Sequence, residues 1–218
     1  MNYDIIIIGA GPGGIFTAYE LTKSNPNLKI AVFEAGNPLE KRHCPIDGKN
    51  IKACVNCPTC AIMNGFGGAG AFSDGKYNIT NQFGGTLHEY IGKKAALELM
   101  YYVDEINTAN GGGDTKLYTT ANTDIKKLCL QNKLHLLDAS VRHLGTDKNY
   151  VVLENLYQQL KTKVDFFFNT RVDKVEKLSD GFAVYSKAGD HTCKYCVISV
   201  GRSGSKWMES VCKDLAIP

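Results

Sequence analysis

The sequence predicts an α/β fold, a parallel sheet with helices on both faces joined to a three-stranded antiparallel meander. Three observations predict it. The first is "DIIIIGAGPGGIFTAYELTKSNPNLKIAVFEAG" (4–36), which reads as apolar run, glycine turn, helical segment and second apolar run. A strand–helix–strand unit of this kind has parallel strands that need cover on both faces. The second is "KVDFFFN" (163–169), a further buried run that follows a helical segment. The third is the series "RVDKVEKL", "GFAVYSK" and "TCKYCVISVG", alternating runs separated by "SDG" and "AGD". Alternation broken by such turns marks antiparallel strands.

Taken in order, Tyr3 to Gly9 is a strand that ends in glycine. A helix follows, with Ile15, Ala18 and Leu21 at helical spacing before Asn25 and Pro26 stop it. "LKIAVFEAG" is the second buried strand. Residues 36–86 form a long Gly/Cys-rich stretch with little periodicity, longer than a compact domain tolerates unless it wraps a ligand or metal. Leu87, Ile91, Leu99, Val103 and Ile106 predict one helix over 87–106, closed by "NGGGD", and a second helix covers 124–131. "HLLDASVRHLGTDKNYVVLENLYQQL" reads as a short strand, a turn around Gly145 and a helix. After the meander, whose last strand runs on to Gly201, a final helix occupies 205–215.

Composition sets outer limits. The chain has 218 residues, 44% hydrophobic and 22% charged, which fits one globular domain. The formal charge of +3 comes from scattered lysines with no basic run or aromatic-interleaved arginine stripe, so nucleic acid is not an expected partner. The isoleucine run before the first glycine is far too short for a signal peptide or membrane span, and the chain is read as cytoplasmic. Eight cysteines in that compartment point to metal ligation, redox chemistry or burial rather than to a disulfide framework.

Gly9, Gly11 and Gly14 form GxGxxG between a predicted strand and a predicted helix. The missing Cβ atoms let backbone approach a pyrophosphate at the helix N-terminus. Glu34 ends the second strand twenty residues after Gly14, where a carboxylate hydrogen-bonds a ribose diol and repels a 2′-phosphate. A dinucleotide site follows, for FAD or NAD rather than NADP. The meander before the fourth parallel strand distinguishes the two, because a nicotinamide-binding domain of this Rossmann-like type lacks it. The pattern resembles the glutathione-reductase-type FAD-binding fold, whose fourth parallel strand ends in a glycine near the cofactor, here Gly201.

The resemblance sharpens at "GFGGAGAFSDGKYN" (65–78), with "VRHLGTD" (141–147) and "GRSGSKWM" (201–208) in support. With "DIIIIGAGPGG" these are similar to the FAD-dependent dehydrogenase family often labelled NAD(FAD)-utilising dehydrogenases. The resemblance implies an FAD-dependent oxidoreductase acting on a small-molecule substrate or redox partner. It implies FAD at Gly9, Gly11, Pro12, Gly13, Gly14, Glu34 and Ala35. It also implies FAD along Gly67, Gly68, Ala69, Gly70, Ala71, Phe72, Ser73 and Asp74, and at Val172, Gly201 and Arg202. Residues 1–218 are then one FAD-binding domain with 36–86 as a cofactor-wrapping insertion. Family members continue past the end of this chain, so their C-terminal substrate part is expected to be missing or supplied separately.

Cys44, Cys54, Cys57 and Cys60 make Cys-x9-Cys-x2-Cys-x2-Cys. Four thiolates would serve an iron–sulfur cluster, the leading reading, or a tetrahedral zinc. Redox-active thiols at Cys54 and Cys57, and plain reduced cysteines in a loop, remain open alternatives. Cys193 and Cys196 are read as core, because residues three apart on a strand face opposite ways; Cys129 and Cys212 are read as core too. Asp74 and Lys76 are candidates for flavin or substrate contact, and His143 and Asp147 for a ligand-facing turn. No catalytic base is identifiable, and no hydrolytic motif is present.

Overall fold

A computed structural model describes residues 1–217. Its strands are β1 (Asn2–Ile8), β2 (Ile30–Phe33), β3 (Lys76–Ile79), β4 (Leu117–Thr119), β5 (Ser140–His143), β6 (Val164–Phe167), β7 (Val172–Leu178), β8 (Gly181–Ser186) and β9 (Gly189–Ile198). Its helices are α1 (Pro12–Ser24), α2 (Leu87–Ile91), α3 (Lys93–Asn107), α4 (Thr123–Gln131), α5 (Gly145–Leu160) and α6 (Ser205–Asp214). They form two compact units, Met1–Ala71 with Leu153–Pro218, and Phe72–Val152, where the sequence reading has one domain.

The first unit holds a six-stranded sheet in the order β6-β2-β1-β9-β8-β7. β1 lies at its heart, parallel to β2 with Ile5 opposite Ile30 and Ile8 opposite Phe33, and parallel to β9 with Ile8 opposite Ile198. A strand flanked on both edges and covered on both faces has no solvent side, which is why its sequence is a continuous apolar run. Ile6 and Ile7 are fully buried, and each such side chain contributes roughly 1.5–3 kcal/mol. α1 buries Ile15 and Ala18. Trp207, Met208, Val211 and Leu215 of the α6 region pack with Ile6, Ile8, Phe33, Val175 and Val184. β9 is both the last meander strand, antiparallel to β8, and the fourth parallel strand beside β1. The predicted fold class is therefore the observed one.

One strand detail differs from the sequence reading. Cys193 and Cys196 do not face opposite ways; both join the core cluster, and their thiols are hydrogen-bonded. Lys194 and Tyr195 are both exposed, so the alternation slips by one residue there. The β1–β9 register is constant across this level, with Tyr3 opposite Cys193 and Ile6 opposite Cys196. The Cys193 and Cys196 thiols bond each other on that side. Their mutual hydrogen bond, aided by burial, pushes the Cys196 thiol pKa up.

The second unit carries a three-stranded antiparallel sheet, β3-β5-β4. Its centre is an ion pair: Arg142 donates to both carboxylate oxygens of Asp104, at 2.6 and 2.8 Å, and also to the Thr115 carbonyl. The single helix predicted over 87–106 is broken into α2 and α3 at Gly92, whose φ of +84° is left-handed and suits glycine. Asn122 caps α4 by accepting from the Asp124 and Ile125 amides. Among the described residues no helix is long and apolar enough to cross a membrane.

Candidate functional site

In the first unit, the loops beyond the C-terminal ends of β1, β2 and β9 enclose a cavity of about 420 Å³. Carboxyl ends of parallel strands are where such sheets hold ligands. The glycine turn shapes one wall, each glycine for its own reason. Gly9 has a φ of +104°, and a Cβ on it would fall 2.6 Å from the Ser199 carbonyl oxygen. A Cβ on Gly14 would fall 1.9 Å from the Gly9 oxygen. These two serve the close packing of the turn. Gly11 is different, since a Cβ there would meet nothing nearer than the Gly68 Cα at 4.0 Å and would project into open space. Above it, α1 begins with Pro12, no side-chain cap and no acidic residue in its first turn. An uncapped N-terminus leaves backbone N–H groups and the positive end of the helix dipole to an anion.

Glu34 is buried, with 6% of its surface exposed, and works as a knot. Its Oε1 accepts from the Gly36 and Gly65 amides and its Oε2 from Ala10, all at 2.8 Å. A carboxylate has about four acceptor positions, so about one remains, on Oε2. Glu34 can therefore take one ribose hydroxyl, where the sequence reading assigned it a diol.

Arg42, which the sequence reading passed over, is the second tie. It is 2% exposed and donates to the carbonyls of Ala61 at 2.9 Å, Ile62 at 2.9 Å and Phe66 at 2.6 Å. Burial pushes the guanidinium pKa down against the pull of Glu34 and Cys60. Gly65 must lack a side chain because its Cβ would lie 2.6 Å from the Arg42 Cδ. The Gly/Cys-rich loop is thus pinned by an arginine fork and a carboxylate. In the sequence Arg42 stands between Lys41 and His43, a setting that does not separate it from a surface charge.

Of the residues assigned to the cofactor, Gly9, Gly11, Pro12, Gly13, Glu34, Ala35, Gly68, Ala69, Gly70, Val172, Gly201 and Arg202 line the cavity. Gly14 and Gly67 stand behind it; a Cβ on Gly67 would press on Leu153 at 2.8 Å. Ala71 is buried, and Phe72, Ser73 and Asp74 belong to the second unit. There Asp74 pairs with Lys76 at 3.6 Å and His143 at 3.7 Å across the β3–β5 ladder. Asp147 sits in the first turn of α5. Lining residues that sequence reasoning missed include Asn64, Thr170, Ser199, Ser203 and Trp207. The Ser199 hydroxyl donates to the Ile8 and Gly9 carbonyls and holds the turn, while Ser203 donates to Asn64 Oδ1 at 2.9 Å and ties two walls of the cavity together.

The four cysteines are not gathered into one cluster. Among the described residues no three His, Cys, Asp or Glu side chains gather as metal ligands. Cys44, Cys54, Cys57 and Cys60 are free thiols, the first two exposed and the others half-buried. The segment between Cys44 and Cys54 is instead organised by Asp47, whose Oδ1 accepts from the amides of Lys49, Asn50 and Ile51. Those bonds lower the Asp47 pKa. Asn56, in a left-handed conformation at φ +52°, turns the chain between Cys54 and Cys57. None of the four lines the cavity.

Comparison with known proteins places this geometry. A model of the Thi4 family matches residues 1–38, the segment from β1 through β2. An uncharacterized protein of Clostridium beijerinckii is 24% identical over 96% of this chain and 33% of its own length. Thiamine thiazole synthase of Yarrowia lipolytica is 61% identical over 15% of this chain and 10% of its own. Glycine oxidase from Geobacillus kaustophilus superposes with a TM-score of 0.54 at 14% identity, over 100% of this chain and 59% of that one. NikD, described as an unusual amino acid oxidase, does so with a TM-score of 0.51 at 11% identity, over 97% and 53%. The chain has the fold of these oxidases. The resemblance read from the sequence is borne out for this oxidase fold and its N-terminal glycine fingerprint. The chain spans a third of the length of the Clostridium relative and just over half of the oxidases.

Proposed function

We propose that the chain is the FAD-binding part of a flavin-dependent oxidoreductase. One observation carries the reading: a single cavity gathers the open Gly11 turn, the uncapped start of α1 and the last free acceptor of Glu34. Those are the groups a pyrophosphate and a ribose require. The glycine oxidase and NikD folds, together with the meander, favour FAD over NAD. Bound FAD would supply a ring that accepts an electron pair from a substrate. The chain's own residues hold and orient it: amides at the α1 N-terminus neutralise phosphate charge, Glu34 fixes the ribose, and the Gly68–Gly70 wall admits close backbone approach.

The substrate is read as a small molecule, and its binding is assigned to the portion of the longer relatives that this chain does not span, in the same polypeptide or a separate one. Eight free thiols suit a reducing, cytoplasmic setting. A thiol–disulfide enzyme using Cys54 and Cys57 is disfavoured, because neither lines the cavity. A flavin-binding module without turnover of its own is the second reading, because the groups assigned to the cavity hold a cofactor and none is assigned to catalysis.

The test is reconstitution with FAD, gel filtration and measurement of retained flavin absorbance in wild type and Gly11→Ala. The wild type retains flavin; Gly11→Ala loses it with an unchanged melting temperature, because its Cβ meets only the ligand. Retention by Gly11→Ala equal to wild type would overturn the reading. Dye-coupled turnover separates the enzyme from the module.

A further inference from the structure

We infer that Trp207 is the base-stacking wall of this cavity, so that the site recognises the adenine-nucleotide half of its ligand and binds ADP without any flavin. The inference rests on the nucleotide reading of the cavity and adds what holds the base. Hydrogen bonds trace the layout. On one side of Glu34 its Oε2 takes the Ala10 amide, which belongs to the glycine turn. On the other side the Glu34 carbonyl takes the Thr170 amide, and Thr170 leads through Arg171 and Val172 to Asp173, whose carbonyl accepts the indole N–H of Trp207 at 3.1 Å. Phosphate-type groups, a ribose-type acceptor and an aromatic wall therefore follow one another around one cavity.

The indole carries a single donor, and Asp173 consumes it. Trp207 is left with nothing polar to offer a ligand, only its ring surface, while still lining the cavity. Phe33 and Val172 pack with Trp207 and line the same cavity, as do Thr170 and the cationic Arg171 and Arg202, and Glu34 is its one carboxylate among the described residues. A flat, uncharged aromatic group is the chemistry that surface accepts, and of a dinucleotide's parts on that side of the ribose the purine fits it.

Trp207 is the chain's single tryptophan, so its emission reports on this spot alone. Emission is followed while ADP, FAD, FMN or inorganic pyrophosphate is titrated. ADP and FAD quench it saturably and compete with each other; FMN and pyrophosphate, which lack the purine, leave it unchanged. Trp207→Leu weakens ADP about tenfold or more, and Trp207→Phe restores most of the loss, as base–aromatic stacking requires. If Trp207→Leu fails to fold, the wild-type quenching and Trp207→Phe carry the test. FAD binding with no quenching and no competition by ADP overturns this inference and leaves the flavin reading intact. ADP binding without FAD binding does the reverse, and failure of both ligands overturns both.

Discussion

Glu34 and Arg42 show how far a residue's place in the chain tells its role. The position of Glu34 after the second strand was legible, because a carboxylate there follows from the spacing to the glycine turn. Its partners were not, since the Gly36 and Gly65 amides reach it only through loop folding. The consequence is that Glu34→Ala leaves three buried amides without acceptors, and we expect a loss of about 3 kcal/mol or more in urea unfolding. The ribose contact is better probed from the ligand side. Of 2′-deoxy- and 3′-deoxy-ADP, one is expected to bind about 1.5–3 kcal/mol more weakly and the other close to ADP, as one free acceptor demands; equal losses would contradict the geometry. His191 makes the second residue-scale prediction. It is buried among Tyr3, Phe33 and Phe167, with no well-formed hydrogen bond at either ring nitrogen. Burial lowers its pKa from the ordinary 6.5, with the Met1 ammonium adding to that and the Ala188 backbone and then Asp190 opposing it. The unfolded chain then binds a proton that the folded one refuses, so stability falls as pH drops below about 6.5 and continues to fall until the folded imidazole itself titrates. His191→Phe is expected to lose that part of the slope of urea midpoint between pH 7 and 5; identical slopes in both proteins would refute it.

At the scale of elements, what the sequence made legible were those with a strong period. α1, α4, α5, α6 and the meander strands appear within a few residues of their predicted bounds. The small elements of the second unit were not legible: β3 and β4 are four and three residues long and partly exposed, too short for alternation to show. The break at Gly92 escaped because apolar spacing continues across it, and only the backbone conformation separates α2 from α3. The cysteine loop meets the same limit of local spacing. Thiol spacing is local, whereas a metal centre needs convergence in space, and the Asp47 turn sets the path of the loop by itself. A thiol reagent applied to the native chain is therefore expected to modify Cys44 and Cys54 first and Cys57 and Cys60 more slowly, with Cys193 reacting only on unfolding. Protection of Cys54, Cys57 and Cys60 together, released by a chelator, would favour the metal reading instead.

For the whole molecule, fold class was legible because a few runs carry it: the "IIII" strand, the buried second strand and the alternating meander. The same arrangement imposes an order of events on synthesis. β1 finds β2 almost at once, but its other edge is closed only by β9, whose last residue, Ile198, leaves the ribosome about 160 residues after Phe33. At ~5–20 residues per second that is a wait on the order of ten seconds or more. Throughout it, an apolar strand with an unpaired edge is open to any passing strand. A chain stopped at Ala188 is accordingly expected to accumulate as aggregate or as a chaperone-bound species, and one carried through β9 to be soluble, as measured by sedimentation of translation products. This strongly apolar strand is made long before the one that shelters its second edge, so the yield in a cell is governed by what protects the nascent chain in between.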